Sequence, residues 1–297
     1  MGGGNRSWLP MVCLVTAMVL WASSFIALKI AFRAYSPMIV IWGRMLVGSF
    51  CFLFLLHSLG RVRLRREDLR YLALMAVCEP CIYFIFEAKA IELTTASQAG
   101  MITAILPLLV AIGATVFLDE KISRQTITGF VIAITGACLL SICGETSADA
   151  PNPLLGNFLE FLAMVAATGY TLSLKHLSSR YSPLFLTAVQ SWVGAVFFSF
   201  FLLSPDTDLP TEFVLLPALA VFYLGSCVTI GAYFLYNFGV SKLPASQASA
   251  YINLIPVFTV AMGFVFLGET FNLLQILASL LVFSGIYISQ RRPRTLA

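Results

Sequence analysis

Charge is the property that this sequence has least of. Charged residues make up 11% of the 297 positions and only two histidines are present, whereas hydrophobic residues make up 59%. A soluble domain uses about 25% charged residues, mostly to cover its surface. The composition therefore excludes an ordinary soluble protein and indicates an all-α membrane protein with many spanning segments.

Signatures of catalysis and of nucleotide or metal binding are also missing. The sequence has no G-x-x-x-x-G-K-[ST], H-E-x-x-H, G-x-S-x-G or S-x-x-K segment, and these are the segments that carry nucleotide hydrolysis, metal-dependent catalysis and nucleophilic catalysis. We therefore predict a protein that is not an enzyme and has no cofactor or metal site. Basic residues cluster between apolar runs, a pattern of membrane orientation that does not indicate a nucleic-acid partner.

Ten apolar runs are long enough for helices that cross about 30 Å of hydrocarbon, which takes about 20 residues each. Short connections with turn residues separate the runs, such as YSP at 35–37 and ETSADAPNP at 145–153. The predicted spans are 9–31, 37–59, 69–91, 96–118, 124–143, 155–174, 183–203, 213–240, 245–267 and 271–290.

The distribution of lysine and arginine predicts how these spans are oriented. The connection RVRLRREDLR holds Arg61, Arg63, Arg65, Arg66 and Arg70, whereas ETSADAPNP and SPDTDLPTE are acidic and contain no lysine or arginine. Cytoplasmic loops carry the excess of positive charge. We therefore expect a multi-pass protein of the bacterial inner membrane with both termini in the cytoplasm.

The tetrapeptide ASQA occurs at 96–99 and again at 245–248, and its recurrence indicates an internal duplication. Each copy has five spans, and because five is odd the second copy must be inverted relative to the first. Two inverted five-helix repeats are an architecture typical of secondary transporters. Further matches at offsets of 149 or 146 residues are Pro107 with Pro256, Glu120 with Glu269, Gly136 with Gly285, Lys29 with Lys175, and the YSP segments at 35–37 and 181–183.

Several segments resemble the drug/metabolite transporter superfamily in its EamA-type branch. They are WASSFIALK, RMLVG, LPLL, and the pair LDEKISRQTITGFVIAITGACLL and LGETFNLLQILASLLVFSGIYI. The resemblance covers almost the whole chain in two copies, 9–143 and 155–290. It implies ten helices, inverted repeats and the transport of small metabolites, often outward. The first copy has Asp119 where glycine is common, as at Gly268 of the second copy.

These features predict a secondary transporter that works by alternating access and exports amino acids, organic amines or drugs. Proton exchange and uncoupled diffusion both fit the residues, and the oligomeric state stays open. Two other classes of protein remain as alternatives. One is an intramembrane thiol oxidoreductase that uses Cys78 and Cys81 of the segment CEPC, and the other is a non-transporting membrane receptor built on the same fold.

Ionisable residues within the predicted spans are the first candidates for function. A charge at the bilayer centre costs about 2.5–3.5 kcal/mol on insertion scales, so such groups face the protein interior or a water-filled cavity. Glu79, Tyr83 and Glu87 share one face of the third span, and Pro80 should break its hydrogen-bond ladder. We predict that Glu79 binds a cation, an amine or a proton, and that Arg44 is the counter-ion of Glu79 or of a substrate carboxylate. The alternative is that these groups pair for structure only.

Aromatic residues with polar neighbours are candidates for the wall of a substrate pocket. Thr229, Tyr233 and Asn237 repeat the spacing of four residues in the eighth span. Packing is the alternative role for each aromatic residue, since aromatic residues are common in membrane helices. The predicted substrate-binding residues are Trp21, Ser24, Arg44, Glu79, Tyr83, Tyr233, Tyr236, Asn237, Tyr251 and Asn253.

Four further polar residues are predicted to act in coupling or gating, together with the acids Glu79 and Glu87. Gln98 and Gln247 belong to the two ASQA copies, which should lie at opposite faces of the membrane, and each glutamine can hydrogen-bond across a mouth or simply join helices. Lys29 and Lys175 end the first and sixth spans, where snorkelling beside a helix C-terminus explains them equally well.

Overall fold

The structure is a computed structural model, and it describes residues 8–55, 57, 62–118, 124–204 and 207–290. Within these ranges the chain is helical apart from short connections and one isolated bridge between Ser147 and Ala150. The ten helices are α1 (Leu9–Phe32), α2 (Pro37–Phe54), α3 (Arg66–Leu93), α4 (Ala96–Phe117), α5 (Arg124–Ile142), α6 (Pro153–Leu177), α7 (Pro183–Leu203), α8 (Leu215–Lys242), α9 (Ala245–Leu267) and α10 (Leu273–Gln290).

Each of these helices coincides with one of the ten predicted spans. Eight are long and apolar enough to cross a membrane, and α5 and α10 contain the shorter apolar stretches Ile127–Ile142 and Leu273–Gly285. Several residues used in the sequence analysis lie outside the described ranges, namely Arg61, Asp119, Glu120 and the two termini.

The helices pack in pairs that are equivalent when the two repeats are exchanged. α2 packs on α7, and α5 packs on α10, so each of these helices contacts its own counterpart. α1 packs on α8 and α9, and in the same way α6 packs on α3 and α4. Each of these pairings has its equivalent in the other repeat, which confirms the predicted fold of ten helices in two inverted five-helix repeats.

The connections form two groups at opposite ends of the helices. One is an acidic end that includes residues 143–152 and 207–214, and the other is a basic end that includes residues 62–65. At the acidic end, the Tyr35 hydroxyl donates to the Val214 carbonyl oxygen over 3.2 Å. At the basic end, Arg180 Nη1 lies 2.6 Å from Asp68 Oδ1. The acidic end is defined by residues 33–36, 94–95, 143–152, 207–214 and 268–272, and the basic end by residues 62–65, 178–182 and 243–244.

α5 and α10 pack closely along each other beside the central bundle. A Cβ atom added to Gly136 would lie 2.6 Å from the Val282 nitrogen, and one added to Gly285 would lie 2.5 Å from the Gly129 carbonyl oxygen. Only glycine therefore fits at these two repeat-matched positions, where it lets the backbones approach as small residues do in membrane helices. This pair contributes to a separate apolar cluster and leaves the other helices to enclose the centre.

The third helix of each repeat departs from α-helical geometry in its middle. In α3 the backbone of Glu79 is extended (φ −149°, ψ 117°) within the π-helical turn Val77–Ile82. In α8 a π-helical segment covers Leu224–Ala232. The predicted break at Pro80 is confirmed, and it places a carboxylate at the interruption of the helix.

Candidate substrate cavity

A cavity lies at the centre of the molecule, with walls from both repeats. Water-molecule centres can occupy about 40 Å³ of it, so in this conformation it holds only a few waters. Further lining residues come from α4, α6 and α9, including Thr103, Met164 and Ile252. The predicted site residues that line it are Trp21, Ser24, Arg44, Glu79, Tyr83, Glu87, Tyr233 and Tyr236.

Glu79 forms the link between the two repeats in this cavity. The carboxylate is 4% exposed, and it accepts a hydrogen bond from the hydroxyl of Tyr233 on α8. The Trp21 ring stands 5.2 Å from the ring of Tyr233 and 4.8 Å from that of Tyr236, measured between centroids. Trp21 Nε1 is buried and donates to none of the described residues, so a free indole donor and a carboxyl oxygen stand together in one aromatic pocket.

Arg44 lies beside Glu87 in the same cavity. Its Nη1 atom is 3.7 Å from Glu87 Oε2, and both side chains are almost fully buried. Arg44 Nε donates to Thr229 Oγ1 over 3.2 Å, and the guanidinium carbon lies 4.4 Å from the centroid of the Phe84 ring. Tyr83 donates to Glu87 Oε1 over 2.8 Å. The guanidinium is therefore held by one carboxylate, one hydroxyl and one aromatic face.

The second repeat has a neutral amide at the position that matches Arg44. Gln190, at the position of α7 that matches Arg44, accepts from Asn237 Nδ2 over 3.5 Å. Asn237 Nδ2 also donates to Thr187 Oγ1 over 2.9 Å, and Asn237 Oδ1 accepts from the Tyr170 hydroxyl over 2.5 Å. Asn237 is thus beside the cavity, bound to the lining residue Tyr170, and it does not line the cavity itself.

The remaining predicted residues lie away from the central cavity. Tyr251 packs against the main apolar core, and the polar side-chain atoms of Asn253 are buried without a hydrogen bond from the described residues. Lys175 Nζ donates to the carbonyl oxygens of Val240 and Leu243 at the end of α8. These contacts fit the structural alternative for Lys175, because a cation there caps a helix C-terminus.

A second polar recess opens at the acidic end and contains two of the predicted gating residues. Water-molecule centres can occupy about 410 Å³ of this vestibule, which Lys29 and Gln98 line together with Glu269. Lys29 Nζ donates to the Asp149 carbonyl oxygen. Gln98 is 2% exposed, whereas Gln247 in the second ASQA copy is exposed. The two copies are therefore in different environments.

Glu269 caps the N-terminus of α4 at this vestibule. Its Oε1 and Oε2 accept from the backbone N–H groups of Ala96 and Ser97 over 2.9 and 2.8 Å. A carboxylate at a helix N-terminus satisfies free N–H donors and interacts favourably with the helix dipole. The second repeat thereby holds the first ASQA copy in place.

Sequence reasoning missed one buried acid near the cavity. Glu160 on α6 is 0% exposed, and neither carboxylate oxygen has a hydrogen-bond partner among the described residues. It lies within electrostatic reach of Glu87 and Tyr83. The signal was available, because Glu160 is an ionisable residue inside the predicted span 155–174. Tyr170 and Thr171 of the same span also line the cavity.

The cysteines of the CEPC segment are free thiols. Cys81 is buried and Cys78 is partly buried, and neither is joined to another cysteine within the described ranges. A Cβ atom added to Gly169 of α6 would lie 2.7 Å from Cys78 Sγ, so this thiol sits against a helix backbone.

Comparison with known proteins gives the same picture for both halves. The model of the EamA-like transporter family matches residues 8–142 and again 154–290. Over 285 residues the chain is 28% identical to YetK, an uncharacterized transporter of Bacillus subtilis (strain 168), covering 94% of this chain and 86% of that protein. A solved crystal structure superposes with a TM-score of 0.65 at 17% identity, covering 95% of this chain and 96% of the other.

A further relative comes from Streptantibioticus cattleyicolor and is named "Probable terminal-alkyne amino-acid exporter". It is 26% identical over 279 residues, which cover 94% of this chain and 92% of that protein. The family match extends over both repeats and the cavity lies between them. The chain is therefore an integral membrane protein that transports small molecules, and it belongs to the EamA-like transporter family of the drug/metabolite transporter superfamily.

Proposed function

We propose that this transporter exports amino acids or organic amines by alternating access, with the central cavity as the substrate site. The observation that carries the proposal is the composition of that cavity, where Glu79 and Arg44 stand with Trp21, Tyr233 and Tyr236 in one closed space. Such a set offers an anion, a cation and an aromatic wall to one small amphipathic molecule. The relative named as an amino-acid exporter supports the substrate class.

Each part of such a substrate has a matching group in the cavity. The substrate's ammonium group binds Glu79 and the aromatic faces of Trp21 and Tyr236, because cations are attracted to aromatic rings. A substrate carboxylate binds the guanidinium of Arg44, which forms strong charge-assisted hydrogen bonds. The aromatic faces hold the organic part. An amine without a carboxylate uses the same anion and leaves Arg44 with Glu87.

Alternating access requires the two repeats, 9–143 and 155–290, to exchange conformations around this site. The cavity is too small for an amino acid as it stands, so loading requires the helices to separate at one end. The unequal burial of Gln98 and Gln247 supports an acidic end that is closed in this conformation. Gln98, Gln247 and Lys29 then act as gating residues at the two mouths.

The orientation follows from the loop charges. We place the acidic end outside a bacterial inner membrane and the basic end, with both termini, in the cytoplasm. In this orientation the recess that contains Lys29 and Gln98 is the external vestibule. Protons are the proposed coupling ions, and in this scheme Glu79 takes up a proton when the substrate's ammonium group leaves it.

The direct test is transport by purified protein in proteoliposomes. A panel of radiolabelled amino acids and organic amines is offered, and exchange is compared for wild type, Glu79→Gln and Glu92→Gln. Glu92 is an exposed acid on the same helix, so it is the matched control. Removing a charge-assisted hydrogen bond worth about 1.5–3 kcal/mol should reduce exchange by Glu79→Gln roughly 10- to 150-fold, and Glu92→Gln should behave like wild type.

The same experiment separates the other classes of function. Movement of no labelled solute by the wild type would favour a receptor. Loss of transport in a Cys78→Ser, Cys81→Ser double variant would favour thiol chemistry at CEPC. If Glu79→Gln transports with unchanged pH dependence, proton exchange at this carboxyl is wrong.

A further inference from the structure

Glu160 is a buried acid that has no role in the proposed substrate site. Its side chain is 0% exposed and both oxygens lack a hydrogen-bond partner among the described residues. It does not line the cavity, but Met164, Ala167 and Thr171 of the same helix do. Spacings of four, three and four residues put all four side chains on one helix face, so Glu160 lies one turn beyond the cavity toward the acidic end.

The packing of the fold does not require an acid at this position. The residue 146 positions earlier, at the matched site of α1, is Leu14, which is also 0% exposed. An apolar side chain therefore fills the equivalent place in the first repeat. Burying an isolated ionised carboxylate costs many kcal/mol, so an unpartnered acid at 160 is a burden to stability unless it binds something.

The charges around the cavity are not balanced by the side chains alone. Glu79, Glu87 and Glu160 are three buried carboxyls, and Arg44 is the buried cation beside them. Arg44 pairs with Glu87, and the proposed substrate's ammonium group pairs with Glu79. Glu160 is then left without a counter-charge. We propose that Glu160 is a dedicated proton-binding site of this transporter, distinct from the substrate site; this proposal rests on the proposed transport function.

The groups that face Glu160 determine when it holds its proton. Glu87 and Tyr83 of α3 are within electrostatic reach of it, and an ionised Glu87 favours the neutral acid at 160. α4 has no ionisable side chain along its length. Of the other helices packed against α6, α5 carries Cys138, which lines one apolar recess together with Phe161, and α8 carries Tyr236, whose hydroxyl lies 3.4 Å from Thr171 Oγ1.

Polar side chains occupy the region between Glu160 and the vestibule at the acidic end, and among the described residues none of them hydrogen-bonds to Glu160. Asn157 lies one turn before Glu160 on α6, and its Nδ2 donates to Gln98 Oε1 over 2.9 Å. Thr94 Oγ1 donates to Asn157 Oδ1, also over 2.9 Å. Gln98 lines the vestibule. A proton released from the Glu160 carboxyl can pass to water in that vestibule and leave a carboxylate, and the reverse transfer restores the acid without any other reactant.

The surroundings fit a proton better than a metal cation. Sodium-sized and larger cations require several oxygen ligands, as the six to eight of calcium illustrate. Neither Glu160 oxygen has a hydrogen-bond partner among the described residues, and these residues contain no group of three or more histidine, cysteine, aspartate and glutamate side chains that could hold a metal ion. A proton needs only the carboxyl itself.

The test measures protonation directly and needs no substrate. Infrared difference spectra between acidic and alkaline buffer are recorded on wild-type, Glu160→Gln, Glu160→Asp and Glu92→Gln proteins in liposomes. Glu79→Gln is measured as well, because Glu79 is itself proposed to take up a proton and gives a band that this variant removes. We expect a second carboxylic-acid carbonyl band, from Glu160, in the wild type, in Glu79→Gln and in Glu92→Gln. The band should be lost in Glu160→Gln, shifted in Glu160→Asp, and unchanged when sodium replaces potassium.

Persistence of this second band in Glu160→Gln would overturn the proposal, and so would its removal by sodium. The thermal midpoint of Glu160→Gln should equal that of the wild type, because the amide mimics the neutral acid. A large loss of stability would mean that the acid is a structural partner and would equally overturn the proposal. If the wild type moves no solute of the panel while the band behaves as expected, the proposed substrate class fails and the proton site stands.

Discussion

Arg44 and Glu87 are buried together, so the energy of each depends on the presence of the other. Removing one partner of a buried pair typically costs about 3–5 kcal/mol, because the remaining charge is left unpaired in a low dielectric. The second repeat shows a neutral solution for the matched place, with Gln190 facing Asn237. The ion pair can therefore be tested by replacing both of its charged side chains with amides.

We predict that Arg44→Gln is destabilised by about 3–5 kcal/mol and that adding Glu87→Gln recovers most of the loss. The double variant carries amides like those of the second repeat and leaves no charge unpaired. Denaturant unfolding in detergent of the wild type, both single variants and the double variant gives the coupling energy. If the double variant is as unstable as Arg44→Gln alone, the guanidinium stabilises the protein through contacts other than Glu87.

The residues of the site were only partly predictable. Polarity inside an apolar run was enough to identify Glu79, Glu87 and Arg44, because charges in a membrane face the protein interior. Which carboxylate pairs with Arg44 depends on how α3 is rotated beyond its break at Glu79. The helical periodicity of the sequence does not determine that rotation. Glu160 shows the other limit, since its lack of a partner is visible only in three dimensions.

At the scale of helices, the contact between Glu269 and the start of α4 holds an element of one repeat against the other. The carboxylate accepts from two backbone N–H groups, and removing a cap of this kind costs about 0.5–2 kcal/mol. We predict that Glu269→Ala increases hydrogen exchange of the amides at 96–98 about 2- to 30-fold. Mass spectrometry of the exchanged peptides measures this, and exposed Glu212 provides the control variant Glu212→Ala.

The close contact between α5 and α10 also belongs to the scale of helices, and it depends on the absence of a side chain at Gly285. A Cβ atom at Gly285 would press on the backbone of Gly129 and Ala133. We predict that Gly285→Ala destabilises the protein by about 1–3 kcal/mol, as overpacking does. Gly231→Ala is the control, because its Cβ would lie 3.6 Å from Leu20 Cδ1, an ordinary contact. Equal thermal midpoints for the two variants would contradict the close packing.

At the scale of the whole molecule, the fold was predictable to a large extent and the conformation was not. Ten apolar runs and the two ASQA copies were sufficient for the helix count and for the inverted repeats, because hydrocarbon thickness fixes helix length. The sequence treats the two ASQA copies alike, yet one is buried and the other is partly exposed. In the proposed alternating-access mechanism, that difference depends on which end of the molecule is closed.

Alternating access makes a reciprocal prediction about the two ends. Single cysteines are introduced by Gln98→Cys or Gln247→Cys into a protein without native cysteines, and labelling by an impermeant thiol reagent is measured in membranes of known orientation. The reagent should reach position 98 only from outside and position 247 only from the cytoplasm. In the proposed mechanism Glu269 holds the acidic end closed, so adding Glu269→Ala should increase labelling at 98.

The decisive outcome is what happens at the opposite end. If one end opens only when the other closes, Glu269→Ala must decrease labelling at position 247 as it increases labelling at position 98, because a population shift moves both sites together. The ratio of the two rates then changes, while the sum of the two rates, each divided by its value in the fully accessible state, stays constant. A rise at both positions would mean that the variant opens a pore through the molecule, and the two repeats would not work as an alternating pair.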